Sequence, residues 1–551
     1  MTDTCSKFIC LVNLDPNGPK FFGFSEFLAG LALMVLAWTI ADTRYRFRIK
    51  TAPIPLEKIT FWVVSTVGIL TILTDLWRAN GWPVIKGGII TPSTWQALLA
   101  IVYFLTFLAW VWFAFVKPSR YGKTTCEKYA TTLYEYILKG SKNELAIVAD
   151  ELERSANNII FYATNFNIQI EAGDKKTHNI EKLANSILNL ISDKRFCRAV
   201  VESSQNFALT LFIAVEYNEK YEVDLGVFSK NVLYEAIKYQ DSFLYHESDY
   251  YESGFVGEFK PLSKVFVGNI KLIEGLRVTF DVGYKLRETW TVAEFEAYVR
   301  AASMYVENFI KVSISNHSFI LARVIIIIAE CSSVLYQING TEHSWETEQV
   351  RKLGVLINFF KSSVLKLDEM KEPFYHVLRF RKEDTLECYC IYDNFADAIY
   401  EIIHSASYVN NPWWDCWSIH HNIVYDSFFR AGGESSKIIQ HKLRRRIYDE
   451  IVKMNQFPNF QGARVLGYCL FVLGFDVKSS ERNKSVYALH VAVLKWVRKN
   501  FKSLYVRKKN VADACLFTSL SYDKDKNRLV QIYEARGLRQ HDEYRYFELD
   551  D

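Results

Sequence analysis

The chain has 551 residues, half of them hydrophobic, 23% charged and 15% aromatic, with only 11 prolines and a net charge of +4. This composition excludes a disordered chain, a collagen-like fibre and a disulfide-stapled mini-protein, and so small a net charge is silent about partners. The mean hydropathy of -0.02 averages unlike parts, because seven of the 13 tryptophans fall in the first 112 residues.

After an N-terminal tail, residues 1–23, three windows approach the ~20 apolar residues that cross ~30 Å of hydrocarbon. They are 24–43, 59–77 and 95–116, and together they predict a three-helix transmembrane domain over 24–117. The third is the strongest, since Gly87 to Val116 carries no charge and Trp95, Trp110 and Trp112 lie toward its ends, where indole rings favour the headgroup level. Lys and Arg in short loops stay on the cytoplasmic side. Arg44, Arg46, Arg48, Lys50, Lys58, Lys117, Arg120, Lys123 and Lys128 lie on one side, against Lys7, Lys20, Arg78 and Lys86 on the other. Nine cations against four predict a multi-pass protein of the cell inner membrane, N-terminus outside, with everything after Val116 cytoplasmic. No positively charged segment or small-residue cleavage site precedes the first apolar run, so no cleaved signal peptide is expected. Eight of ten cysteines then fall on the reducing side as free thiols, while Cys5 and Cys10 lie outside and either pair or stay free.

The rest reads as mostly helical, which makes the fold class mainly α: three N-terminal transmembrane helices, a large helical cytoplasmic region and a small β element near the C-terminus. A helical domain is expected over 118–338 and a second, taken as the ligand-sensing part, over 339–551, with the polar segment Asn339 to Glu348 at the boundary. Ser141 and Glu144 have capping-box spacing ahead of an apolar-periodic run. The apolar run before Gln337 is interrupted by Arg323 and Glu330, which favours a buried helix over a further span. The segment from Ser519 to Gly537 has the pattern of a β-hairpin.

Phosphate-loop, dinucleotide-binding, nucleophile-elbow and zinc-protease signatures are absent. The string AGGESSK, Ala431 to Lys437, lacks the glycine spacing of a phosphate loop and reads as a helix start. Asp393, Asp397, Glu401 and His404 share a helical face, and Glu401 with His404 has the spacing of di-iron bundles, but a second such pair is missing. That leaves a solvated acidic face. Cys416, His420 and His421 sit among three tryptophans and read first as packing or an aromatic ligand surface. Glu369 with Lys371 and Asp476 with Lys478 resemble fragments of a nuclease centre, without a convincing strand to frame them. No catalytic residue, metal or cofactor is assigned.

Two features point to binding and conduction. Glu26 and Asp75 are expected near the outer membrane face; such carboxylates either face headgroups or, gathered in a homo-oligomer, form acidic rings at a pore mouth. Ser65, Thr66, Gly68, Thr71 and Thr74 either pack helices closely or line a polar path, which makes Glu26, Thr71 and Asp75 the pore candidates. The most basic segment, Lys495 to Asn510, interleaves seven cations with Trp496, Phe501 and Tyr505. Cations neutralise phosphates and aromatic faces stack on bases, so Lys495, Trp496, Arg498, Lys499, Lys502, Tyr505 and Arg507 are the ligand-binding candidates, although anionic lipid headgroups attract the same cations. A second basic cluster, HKLRRR, spans His441 to Arg446.

The N-terminal FFGFSEFLAGLALMVLAWTIADTRYRFRI, the next two spans, the large helical body and the basic segment at Lys495 to Asn510 together resemble the channel-type membrane effectors of the Hailong anti-phage defence system. The resemblance covers the architecture of most of the chain and carries no catalytic motif. It implies a homo-oligomeric ion channel in the lipid bilayer, controlled by a nucleotide or oligonucleotide that a partner nucleotidyltransferase makes. The rival readings are a membrane-anchored enzyme such as a nuclease, and a membrane-tethered interaction scaffold.

Overall fold

The computed structural model describes residues 4–6, 9–13, 20–40, 42–85, 91–164, 175–247, 261–283, 289–313, 318–341, 344–370, 390–410, 413–430, 432–480, 484–533, 535 and 541–550. The chain is mainly helical and divides into two compact units, residues 1–232 and 233–551. The boundary expected at 338/339 falls inside the second unit. There the Asn339 side chain donates to the Tyr408 carbonyl at 2.8 Å and accepts from the Asn410 N–H at 2.8 Å.

In the first unit, strands β1 (Thr4–Ser6) and β2 (Ile9–Asn13) pair antiparallel with Cys5 opposite Cys10. Helices α1 (Phe24–Ile40), α2 (Thr43–Lys50) and α3 (Leu56–Ala79) follow, then β3 (Pro83–Ile85), which pairs with β2, and α4 (Pro92–Val111), prolonged by a π-helical turn over Trp112–Val116. Apolar, proline-free runs explain α1 and α3. Helix α4 starts where Pro92 follows Thr91, whose hydroxyl accepts from the Thr94 N–H at 3.2 Å.

Two helices in this region, Leu56–Ala79 and Pro92–Val116, are long and apolar enough to cross a membrane. The first expected span is not one of them. Helix α1 ends at Ile40, and after Asp42 the chain restarts as the separate polar helix α2, leaving α1 with 17 residues, or ~26 Å at ~1.5 Å per residue. The third helix that meets the length and apolarity requirement is Phe319–Ile338, in the second unit. The three differ in burial: half of the Phe319–Ile338 window is buried inside the protein, against 28% for Leu56–Ala79 and 11% for Pro92–Val116. Phe61, Trp62, Ile69 and Leu73 of α3 and Ile101, Phe104 and Leu105 of α4 are all exposed, an apolar belt far larger than the scattered residues of a water-facing surface. Behind it, Phe27, Val67 and Leu99 form a small core. Gly68 admits it: a Cβ there would lie 2.8 Å from the Phe27 ring.

The first unit continues through α5 (Cys126–Lys139), α6 (Lys142–Glu153), α7 (Ala156–Tyr162), α8 (Lys175–Ile191), α9 (Lys194–Ser203), α10 (Gln205–Tyr217) and the start of α11 (Gly226–Lys238). The capping box is present at α6, where the Glu144 carboxylate accepts from the Ser141 N–H at 2.8 Å.

In the second unit, three short helices, α12 (Phe243–His246), α13 (Pro261–Phe266) and α14 (Ile270–Leu276), precede α15 (Val292–Ser313) and α16 (Phe319–Glu330). Helix α16 runs on as a 3-10 helix over Cys331–Ile338, and its Val324, Ile325, Ile327 and Ile328 are fully buried. Helices α17 (Glu348–Glu369) and α18 (Ile391–Ala406) lead to α19 (Trp413–Trp417), a π-helical stretch over Ser418–Tyr425 and α20 (Asp426–Phe429). Then come α21 (Glu434–Lys453), α22 (Phe460–Leu473), α23 (Lys484–Arg507) and α24 (Lys509–Asp513). The expected hairpin is β4 (Leu520–Asp523) with β5 (Arg528–Tyr533), and β6 (Glu543–Glu548) adds a third antiparallel strand to it.

Candidate functional site

Two of the three pore candidates, Glu26 and Asp75, meet at the end of the membrane-type helices where α1 and α4 begin and α3 ends. The first N–H groups of a helix have no partner within it, and carboxylates suit that end electrostatically. Asp75 reaches from α3 to accept from the Phe24 N–H at 2.9 Å, and Glu26 accepts from the Gly23 N–H at 2.9 Å. Both carboxylates therefore converge on the start of α1. Gln96, fully buried on α4, donates to Asp75 at 3.2 Å, and its oxygen accepts from the Arg78 guanidinium at 3.2 Å. Thr71 is buried, and its hydroxyl donates to the Val67 carbonyl of its own helix at 2.6 Å. Within one chain, then, Asp75 is engaged between helices and Thr71 faces the helix packing. Sequence reasoning missed Gln96, whose only signal is an amide inside an otherwise apolar run.

The opposite end of these helices is joined to the helices that follow. Helix α2 carries Phe47 edge-on to Tyr129 of α5, ring centroids 5.6 Å apart, and Ile49, Ala52, Leu56 and Ala114 close a second core. Arg48 is buried next to Ile49 in the chain. Its Nε and Nη2 donate to the two carboxylate oxygens of Glu151 on α6, each at 2.7 Å, and its Nη1 donates to the Ala114 carbonyl at 2.8 Å. The last bond has a cause in the sequence. Four residues beyond Ala114 stands Pro118, which has no N–H, so that carbonyl lacks its α-helical donor and the guanidinium supplies one. Lys50 pairs with Glu135 at 2.9 Å, Arg44 with Asp150 at 3.4 Å, and Lys128 donates to the Ala52 and Pro53 carbonyls at 2.5 and 3.1 Å. Four of the nine cations used to orient the chain are thus spent on this joint. Arg48 thus touches α6 and the end of α4 at once.

The basic segment forms the second half of α23. Its helical period turns Trp496, Phe501 and Leu504 inward and Lys495, Arg498, Lys499 and Lys502 outward. The expectation of bases stacked between cations is corrected accordingly: Trp496 and Phe501 are core residues, and Tyr505 packs against Tyr522 with centroids 4.9 Å apart. Arg498 lies over the Phe547 ring at 5.1 Å, and Arg507 donates to the Asn455 carbonyl at 3.1 Å. What remains is a row of cations suited to phosphates.

The other clusters resolve into packing. The expected acidic face is neutralised by the HKLRRR cluster, with Lys442 on Asp393 at 2.5 Å and Arg446 near Asp397 at 3.5 Å. Glu401 and His404 stand 4.0 Å apart, and burial raises the carboxyl and lowers the imidazole, disfavouring charge on both. His420 is fully buried, donates from Nε2 to the Ala406 carbonyl at 2.7 Å and meets Cys416 at 3.7 Å. Among the described residues, no group of three His, Cys, Asp or Glu side chains is placed to hold a metal. AGGESSK is a helix start: Asp368 accepts from the Ser435 N–H at 2.7 Å and fills the α21 N-terminus itself. Asp476 accepts from the Lys478 N–H at 3.0 Å in a local turn, and Lys371 lies outside the described residues.

No known protein family, characterised protein or solved structure matches the chain.

Proposed function

We propose that this chain is a membrane effector of the inner membrane that works as a homo-oligomer, N-terminus outside, and opens a cation path when a nucleotide or oligonucleotide binds its cytoplasmic body. Anti-phage defence, with the ligand supplied by a nucleotidyltransferase, is the setting that the resemblance implies. The observation that carries the proposal is the pairing of an exposed apolar belt on α3 and α4 with a buried ionic joint, Arg48 to Glu151 and Ala114, on the same helices. The belt suits lipid, and the joint gives the body a mechanical hold on what lipid surrounds. Helix α1, ~26 Å long against ~30 Å of hydrocarbon, is counted as a third, short span met by local thinning of the bilayer. Three helices cannot enclose water alone, so the path lies between subunits, with Glu26 and Asp75 at its mouth. A ligand opens it only through its difference in affinity for the two states.

Planar-bilayer recording of the purified full-length protein, with and without a panel of short oligonucleotides, tests the proposal. Ligand-dependent, cation-selective steps are expected, together with a detergent-corrected mass several times that of one chain. A monomer, or a verified oligomer that never conducts, overturns it. For the ligand surface, Arg498→Ala with Lys502→Ala is expected to weaken oligonucleotide binding about tenfold. The same change should lower the slope of log affinity against log salt by about 1 to 2, as two lost phosphate contacts require. Unchanged affinity and slope move the site away from α23.

A further inference from the structure

The register of β1 on β2 sets Thr4 opposite Leu11, Cys5 opposite Cys10 and Ser6 opposite Ile9. Directly opposed residues of an antiparallel pair have Cα atoms ~4.5 or ~5.5 Å apart, according to whether they exchange backbone hydrogen bonds. Disulfides span Cα separations of ~4.4–6.8 Å, so either kind of pair lies within bridging range. Opposed positions also share one face of the sheet, because successive residues of a strand alternate between faces. Moving either cysteine by one position would put the two on opposite faces.

Strand β1 has need of such a tie. It has three residues and, among the described residues, pairs only with β2. On its other side β2 pairs with β3, Leu11 against Ile85 and Val12 against Val84, and β3 belongs to the connection between α3 and α4. So short an edge strand has few backbone bonds to hold it. Cys5 is its middle residue, and a bond from there to Cys10 joins the edge covalently to the strand that meets the α3–α4 connection. The described cysteines that follow α4, from Cys126 to Cys515, are all free thiols.

We infer that Cys5 and Cys10 form an intrachain disulfide on the outer side of the membrane. This rests on the outward N-terminus proposed above, since structural disulfides persist in oxidising compartments and are rare in the cytosol. The oxidant is a dithiol–disulfide oxidoreductase of that compartment in its disulfide form. One cysteine, as thiolate, attacks a sulfur of the oxidant's disulfide, which gives a mixed disulfide and frees the oxidant's other sulfur. The second cysteine, as thiolate, then displaces the oxidant and closes the bond between Cys5 and Cys10. In sum, two electrons and two protons pass to the oxidant, which leaves as a dithiol.

Trypsin cuts after Lys7, between the two cysteines, and this makes the bond readable. Cells expressing the full-length chain are quenched in acid, their free thiols blocked with N-ethylmaleimide, and the digest read by mass spectrometry. The expected product is the peptide ending at Lys7 joined to Phe8–Lys20, two hydrogens lighter than their sum, from protein that runs as a single chain on a non-reducing gel. Cys5 and Cys10 both carrying maleimide, or bonded between chains, overturns the inference. A second arm separates register from compartment: the purified, reduced protein in nanodiscs is exposed to glutathione disulfide. The unaltered pair is expected to close about tenfold faster or more than the shifted pair made by Ile9→Cys with Cys10→Ser. Equal rates, or no closure, overturn the inference through its register, whichever side the N-terminus lies on. Fast closure in nanodiscs with blocked thiols in cells overturns it through the outward orientation instead.

Discussion

Arg48→Ala is expected to destabilise the first unit by about 3–5 kcal/mol, the cost of leaving one member of a buried ion pair uncompensated. Glu151, 4% exposed, would keep its charge in the interior with no guanidinium beside it, and the Ala114 carbonyl would lose its donor as well. Unfolding of the full chain in nanodiscs, followed by tryptophan fluorescence, reads the loss. The companion variant Arg48→Met with Glu151→Leu removes both charges together and should lie within about 2 kcal/mol of the unaltered protein, since well-packed apolar pairs often match buried ionic ones. Its value lies in function. If the joint carries motion, the double variant folds and assembles but loses ligand-evoked conductance. A loss below about 1 kcal/mol in Arg48→Ala would mean that the pair is open to water.

Acid is expected to weaken the second unit well before carboxylates titrate. Burial lowers His420 to about 3 and His421 to about 4, with Arg430 opposing and Asp426 favouring protonation of His421. Above about pH 6.5 both rings are neutral, folded or unfolded, and contribute no pH dependence. Below it the unfolded chain takes up protons that the folded one refuses, so stability falls by about 1.4 kcal/mol per pH unit per ring until the folded value is reached. At pH 5 this amounts to about 2 kcal/mol for each histidine, or about 4 kcal/mol together. Urea unfolding between pH 8 and pH 5 measures it, and His421→Gln should remove about half of the slope. Trp417, stacked on His421 with centroids 5.2 Å apart, supplies a local fluorescence signal.

The helices of the membrane region were legible because apolar length is a one-dimensional property, as was the Ser141 cap, which is local. The end of α1 was not, because hydropathy does not register that Asp42 opens a new helix whose partners lie some hundred residues on. The cations of that segment were read as a signal of membrane side, and one side chain serves two purposes without marking either. The same limit applies to α23: seven cations and three aromatics in 16 residues describe a composition, while the 3.6-residue period sends the aromatics inward. Asp393 and Asp397 looked like a solvated face because their partners on α21 are about fifty positions away.

The Arg48 contact also fixes an order of events during synthesis. Arg48 and Glu151 are 103 positions apart. At ~5–20 residues per second, roughly 5 to 20 seconds pass before the ribosome has made the partner. Through that interval α2 stays undocked, and its guanidinium waits for the carboxylate that will hold it. The apolar helices α3 and α4 are therefore complete before docking begins, and the joint closes from the α6 side.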